Sequence, residues 1–164
     1  MARVKRSRDG SFRVSLPPAE RRLLVSLVGQ LRDMLGSEDP SLRRLTPPGH
    51  PDDEALEREY RELVGDELAH QRLRSLRVLE ETAEAERLDE EQVAAWLGAI
   101  NDLRLVLGTR LDVTEDLYER GLPDEDPRAP GFAIYAYLGW LEEQVVEAMA
   151  RGLPDSPIET TEDG

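Results

Sequence analysis

The chain has no cysteine. Structural disulfides, thiolate zinc sites and a cysteine redox switch within this chain are therefore excluded. Aromatic residues are also sparse, at 5%, which leaves little from which to build a stacking platform for nucleic-acid bases. No apolar run approaches the roughly 20 residues that span a bilayer, and the basic start MARVKRSRDG has no apolar segment behind it of the kind a signal peptide carries. The expectation is a cytoplasmic protein with no membrane partner. Nucleophilic catalysis finds no footing, because no serine sits in a strand-turn-helix elbow.

What is present is charge. Hydrophobic residues at 39% and charged residues at 34% of 164 fit one soluble domain with a sizeable core. A net charge of −14 repels nucleic acid and anionic lipid over most of the surface and favours basic protein partners. The first thirteen residues are a local exception, with Arg3, Lys5, Arg6, Arg8 and Arg13 against Asp9. These alternate with Val4, Phe12, Val14 and Leu16 around Asp9-Gly10, a favoured two-residue turn, so a β-hairpin is expected over about residues 3–16. Its cations read as a solvated strand face in preference to a nucleic-acid-contacting arm, since a single aromatic neither stacks bases nor reads a groove. Direct nucleic-acid binding is not expected.

Pro17-Pro18 ends the hairpin, and residues 19–35 read as a helix with Leu23, Leu24, Leu27, Val28, Leu31, Met34 and Leu35 on one face and Gly36 as its stop. A proline-rich linker follows over residues 37–51, with Leu42 and Leu45 expected to pin it to the core. Asp52, Asp53 and Glu54 suit the first turn of a second helix, carrying Leu56, Tyr60, Leu63 and Val64 and ending near Gly65-Asp66. There Asp66 can cap a third helix bearing Leu68, Leu73, Leu76, Val78 and Leu79. The stretch EETAEAER, residues 80–87, is polar all round and expected to be solvated. Asp89 is placed to cap the central helix, and Thr114 to cap a short turn ending near Gly121. Residues 123–131 read as a linker and candidate mobile loop. The last helix, residues 132–150, is apolar on more than one face through Ile134, Tyr135, Tyr137, Leu138, Trp140, Leu141, Val145, Val146 and Met149. So wide an arc implies a central place in a bundle or an interface with a partner chain, a homodimer being one form. The expected architecture is mainly α: a compact helical bundle of about five to six helices with a short N-terminal β-hairpin, one domain over residues 1–152 and a disordered acidic tail over 153–164.

The chain concentrates its least interchangeable side chains in WLGAINDLRLVLGTRL, residues 96–111. Val93, Trp96, Leu97, Ile100, Leu103, Leu107 and Leu111 recur at helical spacing and form a core stripe. Between them lie Asn101, Asp102, Arg104, Thr109 and Arg110, where a merely solvated face would use Glu and Lys. Asn101, Arg104 and Gly108 share one flank, Asp102 and Thr109 the next, and Arg110 continues the strip of Leu103 and Leu107. Two readings stand open. In one, Asp102 or a carboxylate of another helix pairs with Arg104 or Arg110 in a half-buried network that fixes register. In the other, the set is a polar hot spot on a protein-binding face. Trp96, Tyr137 and Trp140 join it as candidate partner-binding or structural residues.

Glu67 and His70 have the Glu-x-x-His spacing of di-metal bundles. The second such motif is missing, because the other histidine, His50, lies in the linker, where with Asp52 and Asp53 it reads as a capping segment. An ordinary charged helix surface is the favoured reading, and no catalytic, cofactor-binding or metal residue is assigned. A glycine in Leu107-Gly108-Thr109-Arg110 cannot alone cradle a phosphate; Gly98, Gly108 and Gly139 read instead as points of close helix approach.

Three stretches together, LTPPGHPDDEALEREYRELVGDEL (residues 45–68), DEEQVAAWLGAINDLRLVLGTRLDVTED (89–116) and YAYLGWLEEQVV (135–146), resemble a small actinomycete family catalogued as a domain of unknown function that includes an oxidative-stress transcriptional regulator. The resemblance covers nearly the whole chain. It implies a cytoplasmic, non-enzymatic transcription regulator that acts by contacting a stress sigma factor or RNA polymerase, without a DNA-binding domain of its own. The family's redox-responsive member is thought to sense oxidants through a cysteine pair, which this chain lacks. The chain then either conveys a signal sensed elsewhere or shares the fold and the partner contact without the sensing. Outside that resemblance, an adaptor or scaffold in protein quality control and an enzyme with a carboxylate or metal site around Glu67 and His70 are the other readings.

Overall fold

The computed structural model describes residues 3–37, 39–43, 45 and 54–151, and for residues 54, 57 and 60–66 the backbone alone. The expectations for His50, Asp52, Asp53 and residues 153–164 fall outside the described residues. The elements are β1 (Val4–Arg6), β2 (Phe12–Val14), α1 (Pro18–Met34), a short 3-10 helix at Pro40–Leu42, α2 (Glu54–Thr82), β3 (Arg87–Leu88), α3 (Glu90–Arg110), α4 (Glu115–Arg120) and α5 (Ala129–Ala150). Helices thus dominate, as expected, with a small antiparallel sheet near the N-terminus. Among the described residues no helix is long and apolar enough to cross a membrane.

The hairpin forms in the register Val4↔Val14, Lys5↔Arg13 and Arg6↔Phe12. Its turn is longer than Asp9-Gly10 alone. Ser7 N–H donates to Ser11 O at 2.7 Å, Gly10 N–H returns to Ser7 O, and Gly10 takes a φ of +87°. Asp9 shapes this loop by accepting from the Ser11 N–H and hydroxyl. The sheet also gains a strand that periodicity could not reveal: Phe12 pairs with Leu88 and Arg13 with Arg87. Residues 80–87 are therefore not a solvated tail. α2 ends at Thr82, Ala83 is buried, and Leu88 is buried beside Phe12; the alanines are small enough to pass through the core among glutamates that face out.

Local signals placed most helix ends. Asp89 accepts from the Gln92 N–H while Gln92 accepts from the Asp89 N–H, a complete capping box opening α3. Thr114 accepts from the Leu117 N–H at the start of α4, and Gly36, at φ +90°, follows α1. Two boundaries differ from expectation. α2 runs unbroken through Gly65 and Asp66, because a lone interior glycine costs only about 1 kcal/mol among strong helix formers. α5 begins at Ala129 with Pro130 in its first turn, where a proline lacks no needed donor; a turn joining Pro123, Asp126 and Ala129 precedes it.

The core is one cluster. α3 lies between α2 and α5 and contributes Val93, Trp96, Ala99, Ile100, Leu103 and Val106, all buried. α1 adds Leu24, Val28 and Leu31, α5 adds Leu138, Leu141 and Val145, and α2 adds Leu76 and Leu79 from its final turns. Leu45 is buried and Leu42 packs against the core, so the loop is pinned as expected.

Arg21 ties the sheet to the helices. Its Nε donates to Leu16 O at 3.0 Å, Nη2 to Val14 O at 3.1 Å, and Nη1 to Ala83 O and Ala85 O at 2.7 and 2.8 Å. One guanidinium thus satisfies carbonyls beyond the C-terminus of α2 and at the exit of β2. Arg21→Lys, which keeps the charge but not the fork, is expected to lower stability by roughly 1–2 kcal/mol and Arg21→Ala by roughly 2–4 kcal/mol, read from urea unfolding midpoints at constant slope.

Candidate functional site

The polar residues of α3 are drawn in different directions by different elements. Asp102 faces α2: Arg72 Nε lies 3.5 Å from Asp102 Oδ2, with both side chains largely covered, and Arg72 Nη2 also donates to Leu45 O. Arg104 faces α5: its Nη1 donates to Glu142 Oε2 at 3.2 Å, and its guanidinium carbon stands 5.2 Å from the centre of the Tyr135 ring. Arg104 Nε is buried with no hydrogen-bond partner among the described residues, sitting above Gly139. Arg110 reaches Asp39 Oδ2, on the loop before the 3-10 helix, at 3.5 Å and Met34 Sδ, at the end of α1, at 3.6 Å. Thr109 donates back to Leu105 O within α3. Asn101 is half-buried. The charged members are thus internally paired and do not converge on one point.

Trp96 is wholly buried. Its indole N–H donates to Thr82 Oγ1 at 2.7 Å, and that hydroxyl donates to Val78 O, so the ring joins the core to the last turn of α2. Tyr137 and Trp140 lie on α5 with ring centres 6.0 Å apart. Tyr137 is half-buried; its burial, then the Glu20 carboxylate facing it, push the phenol pKa well above the usual tyrosine range. Trp140 remains 37% exposed, more open than the other candidate aromatic residues.

Sequence reasoning missed a second aromatic group. Tyr118 of α4 packs edge-on against Tyr135 and tilted against Phe132, with centres 6.1 and 6.3 Å apart. Tyr118 is itself exposed, and the short apolar spacing of Leu117-Tyr118 was its sole signal. Glu20 as the neighbour of Tyr137 had none.

Glu67 and His70 are both on the exposed surface of α2, and among the described residues no group of three or more His, Asp or Glu could hold a metal ion. An open groove of about 690 Å³ runs between α1 and the end of α2, lined by Arg21, Arg22, Val25, Glu84 and Glu86 among others. It carries charge but no paired acid and base.

The glycine readings separate. A Cβ on Gly108 would stand 2.9 Å from Tyr135 Cε2, so this glycine admits α5; on Gly139 it would meet Arg104 Nε at 3.4 Å; on Gly98 it would meet Ser75 Oγ at an ordinary 3.6 Å.

Comparison with known proteins places this arrangement among relatives. The family described as "Domain of unknown function (DUF2017)" matches residues 1–149. The chain is 31% identical to proteins named oxidative stress regulator AosR from Mycobacterium bovis and Mycobacterium tuberculosis, over 85% of this chain and 83% of theirs. An AosR relative from Mycobacterium leprae is 29% identical over 90% of this chain and 86% of its own length. No solved structure matches.

Two predictions follow from the pairings. Burial pushes the Asp102 carboxyl above its ordinary 3.8, against the pull of Arg72. The folded state therefore holds this proton to higher pH than the unfolded chain, and the contribution to stability is greatest below 3.8 and is lost as pH rises through the folded value. Asp102→Asn should gain on the parent protein as pH rises across that window in urea titrations, whereas Arg72→Met, which strands the carboxylate, should cost roughly 1–3 kcal/mol at neutral pH. Separately, Gly108→Ala should lower stability by roughly 1–3 kcal/mol through overpacking on Tyr135, while Gly98→Ala should be neutral or raise it by up to about 1 kcal/mol; thermal unfolding of both variants separates the two roles.

Proposed function

Because the chain belongs to the DUF2017 family, we propose that it is a non-enzymatic regulatory protein-interaction module of the oxidative-stress response that acts on transcription through a sigma factor or RNA polymerase. The observation that carries the regulatory part is the 31% identity, over 85% of this chain, to proteins named oxidative stress regulator AosR. With no cysteine in the chain, the module works by contact and not by its own thiol chemistry. A net charge of −14 suits a basic protein surface and speeds encounter with it.

The internal pairing of Asp102, Arg104 and Arg110 moves the contact reading away from α3. Trp140 on α5 is the stronger anchor: tryptophan is a favoured hot-spot type, its ring is part-exposed, and Glu143 beside it one turn on is exposed. Affinity purification of the tagged full chain from an actinomycete lysate at low salt is expected to recover a sigma factor or polymerase subunits. Recovery should fall steeply when salt is raised to about 0.5 M, and Trp140→Ala should reduce it without changing the helical circular dichroism. Recovery of chaperone or protease subunits with no transcription component would reject the proposal.

A further inference from the structure

The sheet has two faces of opposite character. Val4, Phe12 and Val14 point into the core, so Lys5 and Arg13 stand on the outer face, directly opposite one another, and Arg13 stands opposite Arg87. All three are exposed. Like charges in direct cross-strand register repel. Asp9 relieves one end of the row, its Oδ2 lying 3.6 Å from Arg87 Nη1; Lys5 and Arg13 form no salt bridge among the described residues.

The row continues around the edge of β1 into a groove of about 370 Å³ against the last turn of α5. Lys5, Arg6, Arg8 and Arg151 line it, with Glu147 as the acidic residue on its wall. β1 is an edge strand, and a lysine there is a common guard against strand pairing. Arg6 has its own local role over the Phe12 ring, 5.3 Å from its centre. Neither accounts for Arg8 and Arg151 being gathered at that edge, beside the outward-facing Arg13 of the central strand, in a chain whose net charge is −14.

We propose that this groove and the adjoining outer sheet face bind an acidic segment of a protein partner, with its carboxylates over Lys5, Arg8, Arg13 and Arg151. The surface has the sign opposite to that of the acidic contact surface proposed above and is independent of it. A protein segment fits better than nucleic acid for two reasons. A phosphate backbone is a continuous polyanion, with one charge about every 1.7 Å of duplex, and would run off this small face onto an acidic surface. The sheet's aromatic residue, Phe12, is 1% exposed, so no ring is offered to a base.

The test is fluorescence anisotropy on the full chain at about 50 mM salt, with a labelled glutamate-serine repeat peptide, the matching lysine-serine peptide and a single-stranded oligothymidylate as probes. The acidic peptide is expected to bind and the basic one not to. Lys5→Glu combined with Arg13→Glu should weaken acidic-peptide binding by about tenfold or more, with the melting temperature held, since positions 5 and 13 remain a like-charge pair while position 13 gains an opposite charge across from Arg87. Absence of acidic-peptide binding, or equal binding by the charge-reversed variant, overturns the proposal. Tighter binding of oligothymidylate than of peptide replaces the partner class with nucleic acid. A further variant, Asp155→Asn, Glu159→Gln, Glu162→Gln and Asp163→Asn, addresses the chain's own acidic residues. Unchanged peptide affinity supports a separate partner, and a several-fold rise overturns it in favour of this segment as the occupant.

Discussion

The fold depends on Arg21. A three-stranded sheet whose strands are two or three residues long cannot stand alone, since so few ladder bonds do not offset the ordering of the chain. It persists because its inner face, Phe12 and Leu88 above all, is continuous with the helical core and because Arg21 binds the carbonyls of Val14, Leu16, Ala83 and Ala85 together. Those carbonyls come from two segments far apart in sequence that meet where α2 ends. A guanidinium suits this task better than an ammonium, as its donors are fixed in one plane and its charge does not titrate.

This interaction also marks where sequence reading stops. The capping box at Asp89 and Gln92, the Thr114 cap and the positive φ of Gly36 are decided within a few residues, so residue type and spacing sufficed to place them. Arg21 and Ala83 are 62 positions apart, and nothing in either neighbourhood signals the bond. β3 is two residues long, too short for alternation to show. The opposite error occurred at Gly65-Asp66, where a plausible stop and cap were overridden by good helix formers on both sides. For the candidate site the residue types were legible and the partners were not: Arg72, Glu142 and Asp39 are the counter-ions of Asp102, Arg104 and Arg110, and each belongs to a different segment.

That distribution gives α3 its place in the molecule. Asp102 ties it to α2, Arg104 to α5, and Arg110 to the loop before the 3-10 helix. The ties are unequal, since Arg110 is half-exposed and its pair is worth little, whereas Asp102 and Arg72 are mostly covered. Covered pairs add less to stability than apolar packing, but their geometry penalises a slipped helix. The fit of Tyr135 against Gly108 adds a steric register to the ionic one. α3 is thereby fixed on several sides, and its charged side chains Asp102, Arg104 and Arg110 are held to neighbouring elements.

Opposite signs can coexist on the helices and the sheet because charge acts over a limited range in salt. The Debye length at physiological ionic strength is about 8 Å, so a partner at the outer face of the sheet responds to Lys5, Arg13 and their neighbours more than to the chain's net charge of −14. The long-range field, in contrast, governs approach, and it draws basic partners towards the acidic helices. Lowering the salt extends the reach of the net charge and weakens the distinction between the two faces. Raising it weakens direct pairing at both.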